Sequence, residues 1–378
     1  MTNNLYPVLN SGLAFFNHAG VSPLPSDVAQ AVHDYADQAA RAGYFGSTWM
    51  EDMQDFRAVS AELIGARSPD EIAFVPNTAT GVSVSAGALN LQDGDRILVT
   101  DAEYPSNRHF YNALQQKGVE LDVVYQQDDG RIPTEDIISA VSERTKLVGI
   151  SHVQWGSGFR SNLRPIADAV HAVGGLLSVD AIQSAGALPV NVVDDDIDIL
   201  AAGGHKWMLG PTGSGMLYIR EELIDGLIPP VLGANSMDGG LSAGNDQLIL
   251  SPTASRFEPG ATPTAAMLGM RAAIRHLLDV GIDNVWAQLE SVTAYLCDAL
   301  ADAGCRVFSP RGESERSGIV IFDPPPDLSE RETVDETWER LQDSGIITAV
   351  RFGRLRASPH FYTPQSDIDR LVAALKPQ

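Results

Sequence analysis

LAAGGHKWMLGPTGSGMLYIR, residues 200–220, sets a lysine between a histidine and a tryptophan, with its glycines gathered after the lysine. A nucleotide phosphate loop needs GxxxxGK[ST] between a strand and a helix. Here the order is reversed, which excludes that reading of Lys206. The preceding run, DILAAG at 198–203, is apolar and ends in glycine, so the backbone can pack closely there. A lysine at the mouth of a buried strand pair loses hydration unless it is paired, lowered in pKa or covalently engaged. A plain surface lysine is the alternative. The flanks favour an uncharged amine, the state that forms a Schiff base.

A Schiff base with a pyridoxal aldehyde demands further parts. The ring is an electron sink only when its nitrogen is protonated, which calls for a carboxylate. SVDAIQSAG (178–186) places Asp180 at the end of an apolar run, where an isolated carboxylate is costly, and Gln183 three residues on can reach the ring's phenolic oxygen. A strand-end turn or helix cap is the other use of Asp180. VPNTATGVSVSAGAL (75–89) follows a strand and opens a helix of small residues, so Thr78, Ala79 and Thr80 could hold a phosphate at the helix N-terminus. An ordinary N-cap predicts the same local structure. DAEYPSNRHF (101–110) puts Tyr104 after the strand RILVT, either as a turn aromatic or as a ring for stacking. FGRLRASPHFYT (352–363) sets Arg354 and Arg356 on one face of a strand, with Arg351 nearby, where a guanidinium could take a substrate carboxylate; solvated edge arginines are the common alternative.

Outward from these motifs the chain reads as α/β. Strands are predicted at 71–75, 96–100, 121–125, 146–153, 176–181, 198–203 and 215–220, with amphipathic helices at 108–117, 134–143 and 164–173. Near-continuous apolar strands alternating with helices predict a largely parallel sheet covered on both faces. Residues 229–262, rich in Gly, Pro, Ser and Asn, read as loop. Helical patterns at 264–280 and 283–304 then lead into a smaller α+β unit with an acidic helix at 330–344 and a closing helix at 366–376. The expected division is an N-terminal segment (1–25), a large domain (26–262) and a small C-terminal domain (263–378).

Composition bounds the function. The 378 residues are 44% hydrophobic and 20% charged, and 26 basic against 49 acidic side chains give a formal charge of −23. Such a surface repels nucleic acid and anionic lipid, so any phosphate must be held by local geometry. No apolar stretch is long enough to span a bilayer, and the opening MTNNLYPVLN lacks a signal peptide's basic start and apolar core. The two cysteines, Cys297 and Cys305, show no metal or disulfide pattern, and a cytoplasmic protein without a bound metal is the expectation.

Together the motifs resemble the class V aminotransferase family, the fold-type I pyridoxal-phosphate enzymes that include cysteine desulfurases, isopenicillin N epimerase-like proteins and kynureninases. The resemblance spans nearly the whole chain in order: NHAGVSPLP (17–25), NTATG (77–81), EYPSN (103–107), SVDAIQSAGALPVNV (178–192), GGHKWMLGPTGSGMLYIR (203–220), RFEPGATPT (256–264) and RLRASPHFY (354–362). It implies a large domain with a mostly parallel seven-stranded sheet and a smaller C-terminal α+β domain, bound pyridoxal 5'-phosphate, an amino-acid substrate and a homodimer with shared active sites. Lys206 would carry the Schiff base and move the Cα proton, Asp180 would pair the pyridine nitrogen, and Gln183 would contact the phenolic oxygen. His205 would belong to the cofactor pocket, Arg356 would take the substrate carboxylate, and His18 would sit in an N-terminal active-site segment (1–25) that packs with the small domain. Thr262 or a neighbour would serve the partner's phosphate.

The chain departs from the desulfurase pattern. IITAVRFGRLRAS (346–358) contains no cysteine before the carboxylate arginine, so sulfur abstraction by a thiolate is not expected. Gly203 stands where the desulfurases carry a serine, and the kynureninase tyrosine before the lysine is His205. Trp155, in SHVQWGSGFR, stands where a small Asn is usual, as a bulky wall over the substrate or as a core tryptophan. An aminotransferase is the leading expectation, followed by a Cβ-eliminating lyase such as a C–S lyase, then an epimerase. A pyridoxal-phosphate sensor without turnover would want a nucleic-acid-binding domain, for which the chain has neither a spare segment nor the charge.

Overall fold

Apolar runs bounded by Gly, Pro, Asn and Asp become strands, and the amphipathic stretches between them become helices. The protein is described by a computed structural model covering residues 2–240 and 248–376. A short helix α1 (Thr2–Leu5) and strand β1 (Ala14–Phe15) precede two long helices, α2 (Ser26–Ala42) and α3 (Trp49–Ile64). The alternating part follows as β2 (Ile72–Phe74), α4 (Thr78–Ala88), β3 (Arg96–Thr100), α5 (Pro105–Leu114), β4 (Glu120–Val124), α6 (Thr134–Ala140), β5 (Thr145–Ser151), α7 (Leu163–Ala172), β6 (Leu176–Asp180), β7 (Ile199–Gly203), β8 (Gly215–Ile219) and α8 (Glu221–Ile224). Then come α9 (Thr264–Val280), α10 (Ile282–Asp302), β9 (Arg306–Val307), β10 (Val320–Asp323), α11 (Pro326–Ser329), α12 (Val334–Asp343), β11 (Ile346–Ile347), β12 (Ala349–Arg351), β13 (Arg354–Ala357) and α13 (Gln365–Leu375).

Among the described residues, seven strands form one sheet in the order β2-β8-β7-β6-β5-β3-β4. They are the seven apolar runs read from the sequence. β3 to β7 run parallel and β8 is antiparallel to both β2 and β7. β7 and β8 are buried along their whole length, as strands covered on both faces must be. Parallel strands align their C-terminal ends on one edge, and α/β sheets bind ligands there. Tyr104, Trp155, Asp180 and Lys206 all lie at or just beyond those ends. Gly81 lets α4 press on β7, because a Cβ there would stand 2.8 Å from the Ala201 Cβ.

A second sheet, β12-β13-β10-β9, is antiparallel and carries its own core of Phe16, Leu296, Leu300, Val320, Phe322 and Leu355. β1 pairs parallel to β11 in a separate two-stranded sheet, with Ala14 opposite Ile346, and both of these residues belong to the same small core. The expected boundary at 262/263 does not mark the change of core. α9 packs on α2 and α3 and buries Met267, Met270, Ile274 and Leu277 in the large core. The change comes within α10, whose Val285 and Leu289 face the large core while Leu296 and Leu300 face the small one. α2 and α3 themselves occupy 26–64, where no element was read. The described part of the 229–262 loop holds only short 3-10 turns, at Ala234–Ser236 and Ala254–Phe257; its residues 241–247 lie outside the described residues. No described helix is long and apolar enough to cross a membrane.

Candidate active site

A cavity of about 700 Å³ opens where the C-terminal ends of β3, β5, β6 and β7 meet α4, the N-terminal segment and β12–β13. Lys206 reaches it from the turn after β7, nearly buried, with its Nζ 5.6 Å from the centre of the Tyr104 ring. Burial lowers its pKa to about 8; Arg356 and Arg351 push the same way and Asp180 opposes them. The lysine's backbone is clamped, since its carbonyl accepts from the Ser22 hydroxyl at 2.6 Å and from the Leu209 N–H at 3.0 Å.

Asp180 ends β6, buried, and burial raises its pKa against the pull of Ile182 N–H, Asn107 and Lys206. Its Oδ2 accepts from the Asn107 amide at 2.8 Å and its Oδ1 from the Ile182 N–H at 2.9 Å. The carboxylate is therefore fixed in place without a salt bridge among the described residues. Gln183 lines the same cavity; its Oε1 accepts from the Trp207 indole at 2.8 Å and its Nε2 donates to the Ala19 carbonyl at 3.2 Å. One amide N–H remains. His205 also lines the cavity, and burial and Lys206 lower its pKa, favouring the neutral ring.

At the opposite end stands the N-terminus of α4. Asn77 caps it, accepting from the Thr80 N–H at 2.8 Å. The first N–H groups of a helix have no partner within it, so those of Thr78 and Ala79 stay available beside the cavity they line. The Thr78 hydroxyl is already engaged, accepting from the Gly203 N–H at 2.9 Å. Thr80 does not line this cavity; its N–H is capped and it borders a second hollow of about 350 Å³.

The wall facing solvent is aromatic. Trp155 meets Tyr104 edge to face at 5.4 Å and leans on Phe352 at 5.1 Å. Below it lies Arg356, only 1% exposed, donating to Asn17 Oδ1 at 3.1 Å and to the Trp155 carbonyl at 3.4 Å, with its Nε unpartnered. Burial and Arg351 lower its pKa to about 9. No described carboxylate pairs with it.

Besides Thr80, three expected site residues lie elsewhere. His18 is wholly buried behind the cavity, its ring nitrogens bonded to the Ser358 carbonyl and the Tyr362 hydroxyl, both at 2.9 Å. Its neighbour Asn17 faces the cavity instead. Arg354 pairs with Asp323 at 3.0 Å and lies over the Phe308 ring, so it is neutralised within the small sheet, and Arg351 lines the cavity in its place. Thr262 borders the second hollow with Thr80, Phe74 and Phe257 rather than the main cavity. Asn107 and Asn17, which anchor Asp180 and Arg356, drew no notice in the sequence, although each sits inside a motif quoted for a neighbour.

The donor set fits pyridoxal phosphate. A helix N-terminus offers free N–H groups to the phosphate and a buried, unpaired carboxylate suits a protonated pyridine nitrogen. An amine of lowered pKa suits the aldehyde. All of them line one cavity.

The comparisons agree. The family model for class-V aminotransferases matches residues 14–371. An uncharacterized aminotransferase, YcbU, of Bacillus subtilis is 29% identical over 354 residues, covering 93% of this chain and 90% of its own length. A probable cysteine desulfurase of Halalkalibacterium halodurans is 30% identical over 406 residues, covering 98% of this chain and 96% of its own. Among solved structures, the apo cysteine desulfurase of Thermococcus onnurineus superposes with a TM-score of 0.89 at 25% identity, covering 99% of this chain and 96% of that one. This chain is a fold-type I, pyridoxal-phosphate-dependent enzyme, and it belongs to the class-V aminotransferase family.

Proposed function

We propose that the protein is an aminotransferase for a small amino acid, a cytoplasmic enzyme working as a homodimer. The observation that carries this reading is the pairing of a buried Lys206 amine, lowered to about 8, with a thiol-free cavity. Cys305 sits in the small core and Cys297 packs against it, and burial raises both thiols, Cys305 to about 12. The thiolate that a desulfurase requires is therefore absent from the site, although relatives carry that name. Two cysteines without a disulfide also suit a reducing compartment.

The bound cofactor supplies an electron sink for the bond broken at the substrate Cα. The rest falls to the chain's own groups. Arg356, oriented by Asn17, takes the substrate carboxylate. Lys206 Nζ accepts the Cα proton and returns it, its pKa placing both protonation states within reach near neutral pH. Asp180, held by Asn107, keeps the pyridine nitrogen protonated, and Gln183 offers its remaining N–H to the phenolic oxygen. Thr78, Ala79 and His205 serve the phosphate end. Tyr104 stacks on the ring, and Trp155 closes the substrate side against water. Thr262, turned away from its own cavity, reaches the partner's phosphate in this reading.

Product stoichiometry tests it. Holoenzyme is incubated with single amino acids without added keto acid, and keto acid and ammonia are measured. The expected result is one keto acid per active site without ammonia, with further turnover only when a keto acid acceptor is added. Many keto acids with equal ammonia would make the protein a lyase, and loss of chirality without either product an epimerase.

A further inference from the structure

β12 and β13 carry more positive charge towards the cavity than one α-carboxylate uses. Ala349 lies directly opposite Arg356 across this antiparallel pair, and Arg351 is two residues along from Ala349. Side chains two apart on a strand share a face, so Arg351 and Arg356 are diagonal neighbours with backbones roughly 7–8 Å apart. Arg354 shares the face, but Asp323 neutralises it. Arg351 and Arg356 have no carboxylate partner among the described residues, and each has an unpartnered Nε. Among the described residues the Arg351 side chain bonds only to the Val350 carbonyl, at 2.6 Å, and its guanidinium lies 5.7 Å from the centre of the Trp155 indole.

The hairpin tip is Phe352, at φ +50°, an uncommon conformation for a bulky residue. Its ring lies on Gly156, where a Cβ would stand 2.4 Å from the Phe352 Cε2, and against Trp155. The strained tip therefore fastens β12 to the loop after β5, with Arg351 and Trp155 face to face. Two like charges at this spacing repel each other, and Arg351 indeed lowers the pKa of Arg356. A protein of formal charge −23 had carboxylates to spare for both, and the described residues place none here.

On the reading that this cavity is the amino-acid site, we infer that Arg351 receives a second anionic group, so that the preferred substrate is an amino acid with a short acidic side chain. Arg356 takes the α-carboxylate and Arg351 the side-chain carboxylate, or an acid of like charge. Trp155 sets the guanidinium plane and shields the pair from water, which strengthens it. The overall negative field disfavours dianions, so a preference for them has to come from this local pair.

Substrate analogues without an amino group bind but cannot react, so the test does not depend on whether the enzyme transaminates or eliminates. Binding of succinate against butyrate, and of glutarate against valerate, is measured calorimetrically on the holoenzyme. The diacid is expected to bind about tenfold or more tighter than its monoacid partner, as for a hydrogen bond between charged groups. Arg351→Gln should bring that ratio close to one, and Arg351→Lys should restore part of it. Equal affinities in the unaltered enzyme would overturn the inference. So would a preference that survives Arg351→Gln, or a variant that weakens monoacid and diacid by the same factor, since Arg351 would then assist only the α-carboxylate.

Discussion

Lys206 loses most of its hydration in the fold, and that loss sets its chemistry. With its pKa drawn from 10.5 to about 8, the amine is uncharged above that pH and protonated, hence unreactive towards an aldehyde, below it. Capture of pyridoxal phosphate by the apoenzyme should therefore accelerate with rising pH through a midpoint near 8. It can be followed by the near-visible absorbance of the lysine-bound cofactor, and Lys206→Ala should give no such band. A midpoint close to 10, or a band that persists in the variant, would remove Lys206 from this role. A side chain's type and its flanks made Lys206 and Asp180 legible as candidates, and both line the one cavity. They do not give direction. His18 and Asn17 are adjacent in sequence yet face opposite ways, and only the fold shows that Asn17 holds Arg356. Arg354 and Arg356 share a strand face, but the nearby Asp323 on β10 takes the first and leaves the second.

At the scale of elements, α4 joins the sheet to the end of the cavity proposed for the phosphate. Its first turn is ordered by one side chain, because Asn77 ties up the Thr80 N–H and so orients those of Thr78 and Ala79. Asn77→Ala should cost about 1 kcal/mol in denaturant unfolding, the usual price of a lost N-cap. The same change should weaken pyridoxal phosphate more than it weakens pyridoxal, which lacks the phosphate. Equal effects on both ligands would mean that the helix end does not hold the phosphate. The seven strands were legible because strands buried on both faces are written as uninterrupted apolar runs. α2 and α3 were not. α2 is a mostly polar surface helix with Val28 the only buried residue recorded on it, whereas α3 buries Met53, Phe56, Leu63 and Ile64 in the large core, and both pack against α9. The Gly- and Pro-rich stretch before 263 looks like a linker, but the large core continues through α9 into α10.

Charge and exposed apolar surface meet at the level of the whole molecule. Ile228, Val231, Leu232, Leu248 and Ile249 are all exposed, in the stretches of chain that flank residues 241–247, and Val231 lines the hollow that Thr262 borders. Apolar residues gathered in this way belong to an interface more often than to a free surface. Two copies of a chain with formal charge −23 nevertheless repel each other on approach. Added salt shortens the reach of that repulsion, to about 10 Å at 0.1 M and about 3 Å at 1 M, while leaving apolar contact intact. Homodimer formation is thus expected to strengthen as salt rises, with monomer appearing first in dilute protein at low ionic strength. Light scattering on the eluting protein across a salt series measures this directly. Val231→Asp, which sets a further negative charge on the apolar patch, should shift the equilibrium towards monomer most strongly at low salt. A protein that stays monomeric at every salt concentration would refute the dimer and, with it, the role given to Thr262.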